Sequence, residues 1–159
     1  MQGRLKTGLV GAIVAVSACS GAVAATPGNG TYKGLTSQKD AKSGKFQRVE
    51  VKVGPKGKRV KRIRIGFQTA CADGTSYVSG FFVEGRPVGK GGRFSFVSTY
   101  KPPDLNPGET ADVFVEGKGR FTSAKKVKGT LDVQVNIFTA GKLGALKCKS
   151  GKVSFSAKR

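Results

Sequence analysis

Apolar and polar residues alternate along most of the chain after residue 29. In residues 131–137 every second position is Leu, Val or Ile, and Asp, Gln or Asn lies between them. Residues 46–53 and 153–157 show the same alternation. Successive side chains of a strand point to opposite faces, so this pattern predicts half-buried strands and an all-β chain. Further strands are predicted at residues 30–36, 62–69, 94–97 and 112–116.

Turn residues separate the predicted strands. Asp73-Gly74 is a dipeptide typical of hairpin turns. Residues 101–109 hold three of the six prolines and form the longest predicted loop. About eight or nine short strands separated by turns are typical of an antiparallel two-sheet sandwich, with a closed up-and-down β-barrel as the alternative.

The first 25 residues have the order of a secretory signal peptide. Arg4 and Lys6 precede an apolar run at 9–16, and small residues follow up to Ala25. A run of eight apolar residues is too short to span a bilayer. We therefore predict a signal peptide at 1–25, a short flexible segment at 26–29 and one β domain at 30–159. The predicted location is extracellular or in the cell envelope.

A second processing signal overlaps this leader. Residues 16–19, Val-Ser-Ala-Cys, resemble the lipobox of bacterial lipoproteins, although Val replaces the usual Leu. In that case Cys19 would be acylated and become the new N-terminus. Free secretion and lipid anchoring both remain open at this point.

Two cysteines remain after the leader, Cys71 and Cys148. An even number of cysteines in an oxidising compartment predicts a disulfide, and two free buried thiols are the alternative. A bridge that spans half of the domain can join two sheets, which favours the sandwich over the barrel.

Several short segments carry a resemblance when they are taken together. They are Gly30-Thr31-Tyr32-Lys33-Gly34, Thr36-Ser37-Gln38, Cys71-Ala72-Asp73-Gly74, Gly119-Arg120-Phe121-Thr122, Gly129-Thr130-Leu131 and the final segment from Cys148 to Ala157. In these segments the chain resembles an uncharacterised class of small secreted β domains, common in actinobacteria and their relatives. The resemblance implies export, a β fold and a cysteine pair, and it supplies no activity and no catalytic residue.

The composition excludes several kinds of chemistry. The chain has no His, which excludes a His general base, a Ser-His-Asp triad and any zinc site with a His ligand. With no Trp and three Tyr, a flat aromatic platform for bases or sugars is hard to build. We expect no cofactor, no metal site and no enzymatic activity.

The charge is strongly basic and has one local maximum. The formal net charge is +20, and about +18 remains once Arg4 and Lys6 are removed with the leader. Between residues 45 and 64 there are nine basic residues and one acid, Glu50. If residues 46–53 and 62–69 pair as a hairpin, Glu50 faces Arg64 in one register and Arg62 in the other. The predicted anion-binding residues of this hairpin are Arg48, Lys52, Lys56, Lys58, Arg62 and Arg64.

This basic hairpin predicts an anionic polymer as the partner. Outside a cell the candidates are a wall phosphate polymer, an acidic polysaccharide, anionic lipid and extracellular DNA. The alternative is that solvated Lys and Arg keep the protein soluble and protect sheet edges from pairing. No specific protein partner follows from the sequence.

Two other functions are alternatives to polymer binding. The first is a carrier for a small apolar ligand, whose barrel cavity would be lined by phenylalanines. The second is a hydrolase that uses carboxylates; Asp112 and Glu116 share a strand face but lie about 13 Å apart, which is too far for a glycosidase pair. Glu84 and Asp132 remain as more distant partners. The phenylalanines of the carrier hypothesis are Phe81, Phe82, Phe94, Phe96, Phe121 and Phe138.

Overall fold

The computed structural model describes residues 26–41, 43–103 and 105–159. The predicted signal peptide and Cys19 lie outside these residues. The prediction of an all-β chain is confirmed, since the described part contains nine strands and two short 3₁₀ turns but no α-helix. No helix in it is long and apolar enough to cross a membrane. The strands are β1 Gly30–Lys39, β2 Phe46–Val53, β3 Arg59–Cys71, β4 Ser76–Pro87, β5 Arg93–Tyr100, β6 Glu109–Ser123, β7 Lys126–Thr139, β8 Leu146–Lys149 and β9 Val153–Lys158.

All nine strands belong to one sheet that closes on itself. Hydrogen-bonded neighbours follow the order β4-β3-β2-β1-β9-β7-β6-β5, and β8 pairs with both β3 and β7. β8 therefore closes a six-stranded ring, β3-β2-β1-β9-β7-β8, to which β4, β6 and β5 are added. The preferred two-sheet sandwich is wrong, and the closed barrel is confirmed, because β8 joins strands that a sandwich would leave in separate sheets.

The disulfide between Cys71 and Cys148 is present, with its two Cα atoms 3.9 Å apart. The two cysteines lie directly opposite each other on the neighbouring strands β3 and β8. The bridge therefore joins two strands within the barrel wall and does not connect two sheets, so the reason for preferring the sandwich fails.

The hairpin of β1 and β2 lies between β9 and β3 in the barrel wall. β3 pairs with β2 up to Ile65 and with β8 from Ala70 onward. Between these two partners, the backbone of Gln68 has no strand beside it on that edge. The side chain of Gln38 fills the gap: its Oε1 accepts from the Gln68 N–H at 3.0 Å, and its Nε2 donates to the Gln68 carbonyl at 2.7 Å.

A matching gap occurs on β7 between its two partners. β7 pairs with β9 up to Leu131 and with β8 from Gln134 onward. Ser150 fills this gap, because its Oγ accepts from the Val133 N–H at 2.9 Å and its own N–H donates to the Val133 carbonyl. Two residues of the segments that carry the resemblance, Gln38 and Ser150, thus complete the barrel wall.

All nine strands contribute inward-facing side chains to the core, and the short β8 contributes Cys148. Aromatic rings in it pack on glycines of the next strand. Phe94 lies opposite Gly119, and Phe155 lies opposite Gly129. A Cβ at either glycine would overlap the ring opposite it. Glycine at these positions therefore lets large rings lie flat against the wall.

The segment at 26–29, expected to be flexible, makes defined contacts at one end of the barrel. Pro27 is buried, and the Gly28 N–H donates to the Ala124 carbonyl at 3.1 Å. The buried Tyr32 hydroxyl donates to the same carbonyl at 2.6 Å. These contacts join the start of the described chain to the turn between β6 and β7.

Candidate functional site

The predicted basic hairpin exists and is formed by β2 and β3. Glu50 lies opposite Arg64, and Lys52 lies opposite Arg62, so the first of the two predicted registers is the observed one. Valines and isoleucines of both strands are buried, which turns the charged positions outward. All six predicted anion-binding residues are exposed.

The tip of the hairpin carries two of these residues. Lys56 and Lys58 belong to the turn between β2 and β3, and Lys56 has a φ of 60°, in the left-handed region. Only glycine adopts such a conformation without cost, so the turn is strained at Lys56. Gly57 follows with a φ of 65° and packs against the Pro27 carbonyl, where a Cβ would not fit.

A β-bulge near the tip adds a cation that the sequence pattern did not place there. Val53 pairs with Val60 and Lys52 with Arg62, so Lys61 is an extra residue in β3. Lys61 and Arg62 are therefore both exposed next to each other on the outer face. A bulge produces this arrangement because it interrupts the alternation by one residue.

Acidic residues offset part of the charge on this face. Arg62 forms a salt bridge of 2.6 Å with Glu84, and its guanidinium lies 5.7 Å from the ring of Phe82. Glu84 and Phe82 belong to β4, a strand that the sequence pattern did not predict. Arg62 is thus engaged within the protein, and the surface open to a ligand depends more on Arg48, Lys52 and Arg64.

A groove of about 510 Å³ crosses the outer face of β1, β2, β3 and β4. Gly66 and Gly80 lie opposite each other in its lining; the side chain of Gln47 lies over Gly66, whereas a Cβ at Gly80 would meet no atom closer than 3.4 Å. Lys33, Arg48 and Arg64 line the groove, and so does the acidic Glu50. Phe82, with 62% of its surface exposed, lines it too, although aromatic platforms were not expected in this chain.

Three of the four carboxylates of the hydrolase hypothesis lie on the outer face of β6 and β7, and the fourth, Glu84, lies on β4. Asp112 forms a salt bridge with Lys101 at 3.5 Å. Glu116 lies directly opposite Asp132, so the structure does bring two carboxylates together, in a shallow groove that Lys118 and Lys152 also line. Glu116 is exposed to solvent.

Metal-ligating side chains are not grouped in the described ranges. No set of three or more Cys, Asp or Glu side chains there is placed to hold a metal ion.

The six phenylalanines of the carrier hypothesis divide into two groups. Phe82 and Phe138 are exposed on the outer face. The other four are buried and pack against one another or against neighbouring rings; for example, Phe81 lies 5.9 Å from Phe96 and Phe94 lies 5.6 Å from Phe121. These four rings therefore fill the core in the ordinary way.

Comparison with known proteins gives no relatives for this barrel. No protein-family model matches the chain, and neither the curated proteins nor the solved structures contain a significant match.

Proposed function

We propose that this protein is an exported, non-enzymatic β-barrel domain that binds an anionic polymer along the outer face of the β2–β3 hairpin. The observation that carries the proposal is the groove lined by Arg48 and Arg64, in which Gly80 leaves open space. Guanidinium groups donate in pairs to phosphate and carboxylate oxygens, and the open space at Gly80 gives a ligand room to approach them.

The extent of the basic face favours a polymer over a single ion. Exposed cations lie along one path at Arg48, Lys52 and Lys56, with the half-buried Glu50 between the first two. At about 3.3 Å per strand residue, this path is roughly 20 to 25 Å long. Several phosphates or carboxylates of one chain can contact it together, and the affinity should fall steeply with salt.

Four polymers or surfaces have the required chemistry: a wall phosphate polymer, an acidic polysaccharide, an anionic lipid surface and extracellular DNA. A binding panel that contains one of each, measured at low and moderate salt, selects among them. No specific protein partner is proposed.

The test compares two triple variants that remove the same charge. R48Q/K52Q/R64Q alters the hairpin, and K142Q/K147Q/K149Q alters three exposed lysines near β8. We expect the hairpin variant to lose at least about tenfold in affinity and to lower the slope of log K against log salt by about 2 to 3. Equal losses in the two variants would overturn the localised site.

Export is tested separately by intact mass spectrometry of the protein from its own host. A mature chain that begins near residue 26 supports secretion, and an acylated Cys19 supports lipid anchoring. A mass that includes an unmodified leader contradicts both.

A further inference from the structure

A second group of cations lies on the other side of the barrel, across β5, β6 and β7. Arg93 is directly opposite Arg120, and Arg120 is directly opposite Lys128. All three side chains are exposed on the outer face. Side chains opposite each other on neighbouring strands have Cβ atoms about 5 Å apart. Three positive charges therefore share one row about 10 Å long.

This row has no internal compensation. No salt bridge within the described residues involves Arg93, Arg120 or Lys128. The acids nearest along β6 and β7, Glu116 and Asp132, are four strand residues away, about 13 Å. That distance exceeds the screening length of about 8 Å at physiological salt.

The lack of compensation distinguishes this row from the hairpin. There, Arg62 has Glu84 as its partner, and Glu50 lies opposite Arg64. Like charges directly opposite each other destabilise a sheet. A bound anion would remove the repulsion among Arg93, Arg120 and Lys128.

A groove of about 810 Å³ lies along the row. The cations form one side, and Ser95, Lys118 and Thr130 form the next row of outward side chains. The backbone of the intervening row, Phe94, Gly119 and Gly129, forms the floor. No carboxylate lines this groove, and Lys118 brings the number of cations to four.

The floor consists of backbone because the intervening residues point inward. Phe94 points into the core, where its ring occupies the space that a side chain at Gly119 would need. Phe155 does the same at Gly129. The intervening positions therefore place no side chain between the two outer rows. One guanidinium is also held in place, because Arg120 Nε donates to the Gly91 carbonyl at 3.2 Å.

We propose that this groove is a binding site for a phosphate monoester, with the phosphate bound by Arg93, Arg120 and Lys128. A carboxylate brings one negative charge and two oxygens, whereas a phosphate monoester carries about −1.5 to −2 and three acceptor oxygens. The phosphate monoester therefore matches the three neighbouring cationic side chains better than a carboxylate does. The uncharged part of the ligand lies over the glycine floor, beside Ser95 and Thr130.

The experiment is isothermal titration with glycerol 3-phosphate and with inorganic phosphate at low salt. R93Q/R120Q/K128Q is compared with K142Q/K147Q/K149Q, which removes the same number of positive charges from exposed lysines near β8. We expect the first variant to lose at least about tenfold in affinity for glycerol 3-phosphate, and the second to bind as the wild type does. Equal loss in both variants, or sulfate and acetate binding as tightly as the phosphates, would overturn the proposal.

Two further measurements separate the source of the phosphate and guard against misfolding. Vesicles with phosphatidic acid, against phosphatidylcholine alone, test whether the monoester belongs to a lipid headgroup; binding that needs Arg93, Arg120 and Lys128 supports the site in either form. Phosphate should raise the Tm of the wild type and of K142Q/K147Q/K149Q but not that of R93Q/R120Q/K128Q. A similar rise in all three would contradict the site. Because the design separates the two surfaces, failure of this site leaves the polymer-binding proposal standing, and the reverse also holds.

Discussion

The side-chain amide of Gln38 pairs with the backbone of Gln68 as a strand would, through one accepted and one donated hydrogen bond of 3.0 and 2.7 Å. The pair lies where the β1–β2 hairpin ends and β8 becomes the strand that pairs with β3. Closure of the ring at this point thus depends on one glutamine.

Q38A should lower the free energy of unfolding by about 2 kcal/mol, because it leaves the N–H and carbonyl of Gln68 without partners in a half-buried position. Urea unfolding measures the change. Q134A is the control, since Gln134 is exposed on β7, and we expect less than about 0.5 kcal/mol there. Similar small changes in both variants would show that the amide pair does not support the wall.

G129A should destabilise the barrel by about 2 to 3 kcal/mol, because the added methyl would overlap the Phe155 ring and the Lys118 carbonyl. G80A is the matched control. A Cβ there has its nearest neighbour at 3.4 Å, and the change should be small. Chemical denaturation distinguishes the two, and a neutral G129A would mean that the ring moves aside at little cost.

K56G should stabilise the protein by about 0.5 to 1 kcal/mol, because glycine removes the strain of a left-handed lysine. K58G should do the opposite by a similar amount, since Lys58 has a φ of −78° and glycine there only increases the freedom of the unfolded chain. Thermal unfolding at fixed salt measures the Tm of both variants. A fall in Tm for K56G would contradict the strain at the hairpin tip.

Tyr100 gives the stability a dependence on alkaline pH. Burial, opposed by the hydrogen bond with Ser79, raises the pKa of Tyr100 from 10 to about 12 in the folded protein. The neutral hydroxyl is therefore favoured on folding, and its contribution is complete below pH 10 and lost as the pH rises to 12. Y100F should show a shallower fall in stability across this interval. Parallel curves for the wild type and Y100F would rule out this contribution.

Loss of the disulfide should lower the free energy of unfolding by about 4 kcal/mol, because the bridge closes a loop between residues 77 positions apart. C71S/C148S and the reduced wild type should unfold at the same urea concentration. Addition of a reductant should leave the double variant unchanged. A wild type that does not respond to reduction would show that the bridge contributes little.

The strands that the sequence predicted have inward apolar residues that alternate with mostly polar outward ones, although Val97 of β5 and Phe114 of β6 are apolar and exposed. β4 was missed because Val78 and Phe82 point outward and interrupt the alternation, and β8 was missed because it has four residues. These two omissions account for the wrong architecture. Alternation tells which face of a strand is buried but not which strand lies beside it, and ring closure depends on β8.

Only part of the candidate site could be predicted from the sequence, because alternation does not show which strands are neighbours. The β2–β3 pairing and the outward cations follow from local alternation. The salt bridge of Arg62 with Glu84 does not, because it needs β4. The row of Arg93, Arg120 and Lys128 crosses three consecutive strands, and it becomes visible only with the register in which they pair.

The contacts of Pro27, Asn29 and Arg159 determine which end of the barrel would lie next to an attached anchor or domain. Arg159 donates to the Asn29 carbonyl at 2.6 Å, and Pro27 packs on Gly57 at the hairpin tip. An anchor before residue 26, or a fused domain at either end, would therefore sit beside Lys56. The Cys71–Cys148 bridge would lie at the far end, about 40 Å away along β3. Tethering by either end would hold the basic tip against the supporting surface and leave the opposite pole open to the surroundings.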